Sequence, residues 1–245
     1  MKKVILLLVE GPSDEDALLG PTRLLVDRAF VSARSFHTDV TTASLFQHSA
    51  AFKAYGDVVK TVREFIVSYL DNNQGYGWAD LAAIVHVVDL DGALVRSDAV
   101  VQDATARKVA YGEDEIRTCS RDSILERNRV KRAAIKRLCQ TTFLSKGGKQ
   151  VPYRVFFMSR NLEHALYGIG GNLSGRDKER LASAFAEECY KNPGFFLERL
   201  RSEQVAVPGD YDETWNHCFK GTNSLHRGSN YHLLFDMAPD FIAAK

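Results

Sequence analysis

The clearest pattern along the chain is a pair of continuous, β-branched apolar runs, one within Val4–Glu10 and one at Ile84–Val88. Unbroken apolar runs of this length predict strands covered on both faces, as in a parallel sheet. Val151–Met158 predicts a third strand of the same kind and Phe30–His37 a fourth. Helical spacing appears between them. Asp14–Asp27 presents Ala17, Leu18, Leu24 and Leu25 on one side, with Ser13 and Asp16 as its capping pair and a kink or interruption expected at Gly20-Pro21. Tyr55–Leu70 repeats Val58, Val59, Val62, Phe65, Ile66 and Tyr69 at helical intervals, and Asp71–Gly75 ends it with turn formers. Arg121–Gln140, Asp177–Tyr190 and Phe195–Glu203 read as further helices, Thr38–Phe52 as a polar connector and Val207–Asp212 as a turn. Alternation of strand and helix predicts an α/β fold: roughly four mostly parallel strands flanked by helices. About sixty residues separate Gly92 from the third apolar run, too many for a plain connection. The expectation is therefore a core over 1–170, with a basic helical insertion at 93–150 and a C-terminal helical extension at 171–245 that starts after the glycines of 168–175.

At 245 residues, 45% apolar and 26% charged, the composition is that of an ordinary globular chain. No apolar run is long enough to span a bilayer. Lys2-Lys3 before Val4–Val9 imitates a signal peptide, but the run is too short and ends at Glu10, so a cytoplasmic protein is expected. Cys119, Cys139, Cys189 and Cys218 are scattered, which points to free thiols rather than disulfides or a zinc site. Charge changes the picture most. The formal net charge of +1 conceals −4 over residues 1–100, +8 over 101–160 and −3 over 161–245. One basic surface beside an acidic region is the implied arrangement.

Both leading strands end in carboxylates and a glycine: Glu10-Gly11-Pro12-Ser13-Asp14 and Asp89-Leu90-Asp91-Gly92. In an open parallel sheet, ligands bind beyond the carboxyl ends of the strands. Either stretch alone reads equally well as a helix cap or a solvated turn. Together, adjacent strands would bring Glu10, Asp14, Asp89 and Asp91 into one place. Two carboxylates about 4 Å apart repel by about 4 kcal/mol at an effective dielectric near 20, so such a cluster takes up protons or a cation. Oxygen donors favour Mg²⁺ or Mn²⁺ over zinc. In an extended segment Asp89 and Asp91 would point to one side and flank a hydrated ion. Glu163, just past the third strand, is either a further ligand or base, or a first-turn Glu favoured by the helix dipole. Arg127, Arg129, Lys131, Arg132, Lys136 and Arg137 on the 121–140 helix, with Lys146 and Lys149 after it, face only Asp122 and Glu126 on that helix. That surplus suits nucleic-acid phosphates better than a merely solvated helix. His226-Arg227 is a weaker phosphate candidate.

The strand–Glu–Gly–x–x–Asp and strand–Asp–x–Asp order resembles the Toprim domain of topoisomerases, primases, maturation ribonucleases and overcoming-lysogenization-defect nucleases. The resemblance is close over Val4–Ala17 and Ile84–Gly92. It extends loosely to Ser159–Glu163, which is similar to an element of stand-alone Toprim proteins of phage-defence systems. It implies a Toprim-like fold, Glu10 in acid–base chemistry and metal binding, Asp89 and Asp91 holding Mg²⁺, Asp14 as a further acid, and Glu163 as a ligand to a second ion. The expected activity is Mg²⁺-dependent (or Mn²⁺-dependent) cleavage of DNA or RNA, tRNA included, by an anti-phage effector using one or two ions. The alternative is a non-catalytic, nucleic-acid-binding or regulatory subunit of an ATPase complex. No topoisomerase-type tyrosine setting and no G-x-x-x-x-G-K-[ST] loop is present, so an ATPase would have to be a partner protein. A homo-oligomer is also compatible with the resemblance.

Overall fold

The computed structural model describes residues 3–26, 31–37, 39–42, 57–72, 75–171 and 173–237. Its main sheet is built from β1 (Lys3–Val9), β2 (Val31–His37), β3 (Leu81–Asp89) and two later strands, β7 (Phe143–Lys146) and β8 (Lys149–Met158), in the order β2-β1-β3-β8-β7. The β2–β1, β1–β3 and β3–β8 pairings are parallel, and only β7–β8 is antiparallel. The sheet is thus α/β and mostly parallel, with five strands where about four were expected. The fifth, β7, lies in a stretch that reads as part of a basic helical segment and a flexible turn. Gly147 and Gly148 both have positive φ, 58° and 80°, which is the backbone a two-residue hairpin requires.

Strand periodicity divides the core in two. Leu6, Leu8, Ile84, Val88, Tyr153 and Phe157 point to one face, where α2 (Val58–Asn72), α3 (Arg121–Cys139) and α6 (Tyr211–Cys218) contribute apolar side chains. Ile5, Leu7, Val9, Val85, Val87 and Phe156 point to the other, covered by α1 (Pro12–Val26), α4 (Gly175–Lys191) and α5 (Phe195–Arg201). Helix α1 starts one residue before the expected Ser13 cap, at Pro12, a favoured first helical residue. It continues through Pro21 rather than stopping there. Most of the 38–52 connector, with Tyr55 and Gly56 of the second expected helix, lies outside the described residues.

The 93–150 insertion is only partly helical. Before α3 it forms a small sheet of β4 (Val100–Gln102), β5 (Ala110–Tyr111) and β6 (Ile116–Thr118), ordered β4-β6-β5, around Val100, Ile116 and Leu225. The C-terminal region is part of the core. Phe185, Phe196 and Tyr231 enter one apolar layer and Trp215 and Cys218 the other. Asn230 accepts a hydrogen bond from the Phe157 backbone N–H at 2.9 Å, and the Tyr231 hydroxyl meets Thr22 Oγ1 at 2.9 Å. No helix among the described residues is long and apolar enough to cross a membrane.

Trp215 stacks edge-on against Phe157 with ring centroids 4.9 Å apart and is 5% exposed. Trp215→Ala is therefore expected to destabilise the whole sheet domain by about 3–5 kcal/mol. Urea unfolding should show one transition at lower midpoint. A separate early transition confined to the C-terminal helices would contradict this packing.

Candidate functional site

Each acidic residue is positioned by the end of a strand. Glu10 follows β1, and Gly11 then opens α1. The Gly11 N–H donates to Asp14 Oδ2 at 2.9 Å, so Asp14 caps the first turn of the helix while facing the strand ends. Asp89 closes β3. Beyond it the backbone leaves the extended conformation: the Asp91 N–H donates to the Arg160 carbonyl at 2.8 Å, and both residues are left-handed, with φ of 47° and 54°. Left-handed backbone at two non-glycine residues joined by a hydrogen bond is strain concentrated at one spot. It also overturns the expectation of an extended Asp-x-Asp pair pointing to one side.

The reason is Lys131. Its side chain is 0% exposed, and its Nζ lies 2.6 Å from Asp91 Oδ2 and 3.3 Å from both Glu10 carboxylate oxygens. Lys131 was expected on a nucleic-acid-binding face; it is instead buried within the acidic cluster. Arg127 is likewise structural, donating to the Asp91 carbonyl at 2.7 Å and the Tyr111 hydroxyl at 3.0 Å. Arg132 donates to the Leu94 carbonyl and lies over the Phe219 ring, as does Lys136. Lys149 reaches the Leu81 carbonyl at 3.2 Å. Arg129, Arg137 and Lys146 are more open to solvent, paired with Glu126, Asp57 and Asp71. The basic residues therefore do not all share one face: Arg129, Arg132 and Lys136 line one pocket of about 360 Å³, while Lys131 and Arg127 turn inward. His226 and Arg227 do not join the acids: Arg227 donates to the Ala165 and Leu166 carbonyls.

A cleft of about 450 Å³ opens over the strand ends, lined by Glu10, Asp14, Asp39, Asp89 and Lys178 among others. Asp91, Lys131 and Glu163 do not line it. Glu163 is buried in a π-helical turn, Glu163–Tyr167, and pairs with Lys178 of α4 at 3.1 Å. Asp39 and Lys178 escaped the sequence reading. Asp39 follows β2 as Glu10 follows β1, a signal that was available. Lys178 is brought in by the packing of α4 on α1 and has no local signature.

Electrostatics ties these groups together. Burial, with Asp91 and Asp39 adding to it and Lys131 opposing, pushes the Glu10 carboxyl from 4.5 to about 8. Burial raises Asp14 from 3.8 to about 6, against the Gly11 hydrogen bond and with help from the Glu163 charge. Asp89 is pushed up by burial and then by Asp14, Glu10 and Asp91. Asp39 is the exception: burial would raise it, but Lys131 and the Thr42 and Thr41 hydrogen bonds hold it low. Among the described residues no donor bonds the Asp89 carboxylate, and no three His, Cys, Asp or Glu side chains stand as a preformed ligand set. The chemistry nevertheless fits a hard divalent ion. Mg²⁺ keeps several waters and takes one or two carboxylates, which Asp89 and Asp14 would supply.

Comparison with protein-family models, curated proteins and solved structures found no match.

Acids whose proton affinity is raised by folding hold protons that the unfolded chain has already lost. In the absence of metal, the contribution of these acids is therefore expected to be greatest near pH 4 and to fall by on the order of a few kcal/mol as pH rises, levelling off above about 6 for Asp14 and about 8 for Glu10. Millimolar Mg²⁺ should recover most of that loss at the alkaline end and little of it at the acid end. Thermal melts across this range measure both effects. Stability independent of pH would mean that the carboxylates are compensated.

Proposed function

We propose that the chain is a Toprim-type nuclease that hydrolyses phosphodiester bonds of DNA or RNA with Mg²⁺ or Mn²⁺. The observation that carries this reading is Asp89, without a donor among the described residues, beside Asp14 and Glu10 in one cleft at the carboxyl ends of adjacent parallel strands. The spacing of Glu10-Gly11-x-x-Asp14 and Asp89-x-Asp91 supports the Toprim assignment. When bound, the ion would polarise the phosphate and lower the proton affinity of a water at the cleft.

Glu10 holds protons tightly enough near neutral pH to act as general base. It takes a proton from the attacking water as the water oxygen bonds to phosphorus and the bond from phosphorus to the leaving sugar oxygen breaks. That oxygen then receives a proton from solvent. Asp14 and Asp89 would hold the ion, Lys178 at the cleft wall would face the phosphate charge, and Lys131 fixes the Glu10 carboxylate. Arg129, Arg137 and Lys146, the more exposed cations of the basic segment, draw the anionic backbone toward the protein. An effector role in anti-phage defence, working beside an ATPase partner, is the setting that the resemblance suggests.

A second reading, a nucleic-acid-binding or regulatory subunit of such an ATPase complex without cleavage of its own, is favoured by one observation. Lys131 already neutralises part of the cluster, at Glu10 and Asp91. The two readings separate in a cleavage assay on duplex DNA, single-stranded DNA, RNA and tRNA with Mg²⁺ or Mn²⁺. Metal-dependent cleavage that drops at least about 100-fold in both Asp89→Ala and Glu10→Ala is the expected result. Nucleic-acid binding without cleavage by the wild-type chain would establish the second reading.

A further inference from the structure

We propose that the Lys131 ammonium permanently occupies the place of one divalent cation, so that the site takes a single ion, on its Asp14–Asp89 side. This rests on the metal-dependent reading above and specifies its stoichiometry. Nζ bridges the end of β1 and the turn after β3, reaching Asp91 Oδ2 at 2.6 Å and lying 3.3 Å from each Glu10 oxygen. A bridging metal would need those same oxygens, and a dication and an ammonium cannot share them without strong repulsion.

Lys131 is also firmly held. Ile135 and Leu138 anchor α3 in the main core. On the preceding turn, Arg127 donates to the Asp91 carbonyl at 2.7 Å and Asn128 to the Gly92 carbonyl at 3.3 Å. The helix that carries the ammonium is thus bonded to the very turn that carries its partner, and withdrawing one disturbs the other. Access points the same way. The cleft opens from solvent onto Glu10, Asp14 and Asp89, while Lys131 does not line it and is fully buried. Unlike a second metal, this cation cannot exchange with solution, so metal dependence should follow a single binding event.

The test counts ions rather than turnover. Mn²⁺ titration followed by electron paramagnetic resonance should give one bound ion in the wild-type protein and two in Lys131→Ala. Acetic anhydride labelling read by mass spectrometry should leave Lys131 protected both with and without Mn²⁺. No ion or two ions in the wild type, only one in the variant, or labelling of Lys131 once Mn²⁺ is added would each overturn the proposal. If Lys131→Ala does not fold, the wild-type count and the labelling decide. The same wild-type preparation is assayed for cleavage: one bound ion with no cleavage of DNA or RNA would remove the nuclease reading and leave this inference standing.

Discussion

A buried ammonium held between two carboxylates from different parts of the chain is the contact on which the strand-end architecture depends. A lysine with no solvent exposure is tolerated only when it is paired and hydrogen-bonded. Here Glu10 and Asp91 do the pairing, with the charge of Asp39 adding to it. Conversely, without Lys131 these acids would repel one another in a poorly solvated space. The pair is worth little as net stability against an apolar replacement, but breaking it by removing one partner leaves an uncompensated buried charge. It fixes the position of α3 over the sheet and the left-handed turn at Asp91 at the same time.

The surrounding fold keeps that contact rigid and leaves its neighbour open. Parallel pairing of β1 with β3 and of β3 with β8 sets the strand ends side by side. Arg160, also left-handed, accepts the Asp91 N–H and donates through its side chain to the Gly112 and Leu225 carbonyls. One guanidinium therefore ties the end of β8 to the small sheet and to the C-terminal loop. On the cleft side Asp14 and Asp39 accept hydrogen bonds from Gly11 and from Thr41 and Thr42, but no donor among the described residues bonds Asp89, which burial leaves with raised proton affinity.

Much of this was legible from pattern. The apolar runs located β1, β3 and β8, helical spacing located α2, α3 and α4 to within a few residues, and carboxylates after strands located the acids of the cleft. What escaped depends on tertiary contact. A lysine among seven other cations carries no mark that it will be buried, because its fate is set by Glu10, 121 positions away. Asp91 looked like the second half of an extended pair, since nothing local announces a left-handed aspartate held by the Arg160 carbonyl. The glycines of 168–175 looked like a boundary, yet the aromatic residues beyond them, Phe185, Phe196, Trp215 and Tyr231, are core. The short strands β4 and β5 have three and two residues, too few for any periodicity to register.

The Asn230 side chain that receives the Phe157 N–H has a consequence for the order of assembly. Strand β8 obtains this hydrogen bond from a residue 73 positions later in the sequence, and the neighbouring Ser159 N–H finds its acceptor at Gly228. The parallel strands can pair with one another before that segment folds back, but the end of β8 beside the acids is braced only once it has.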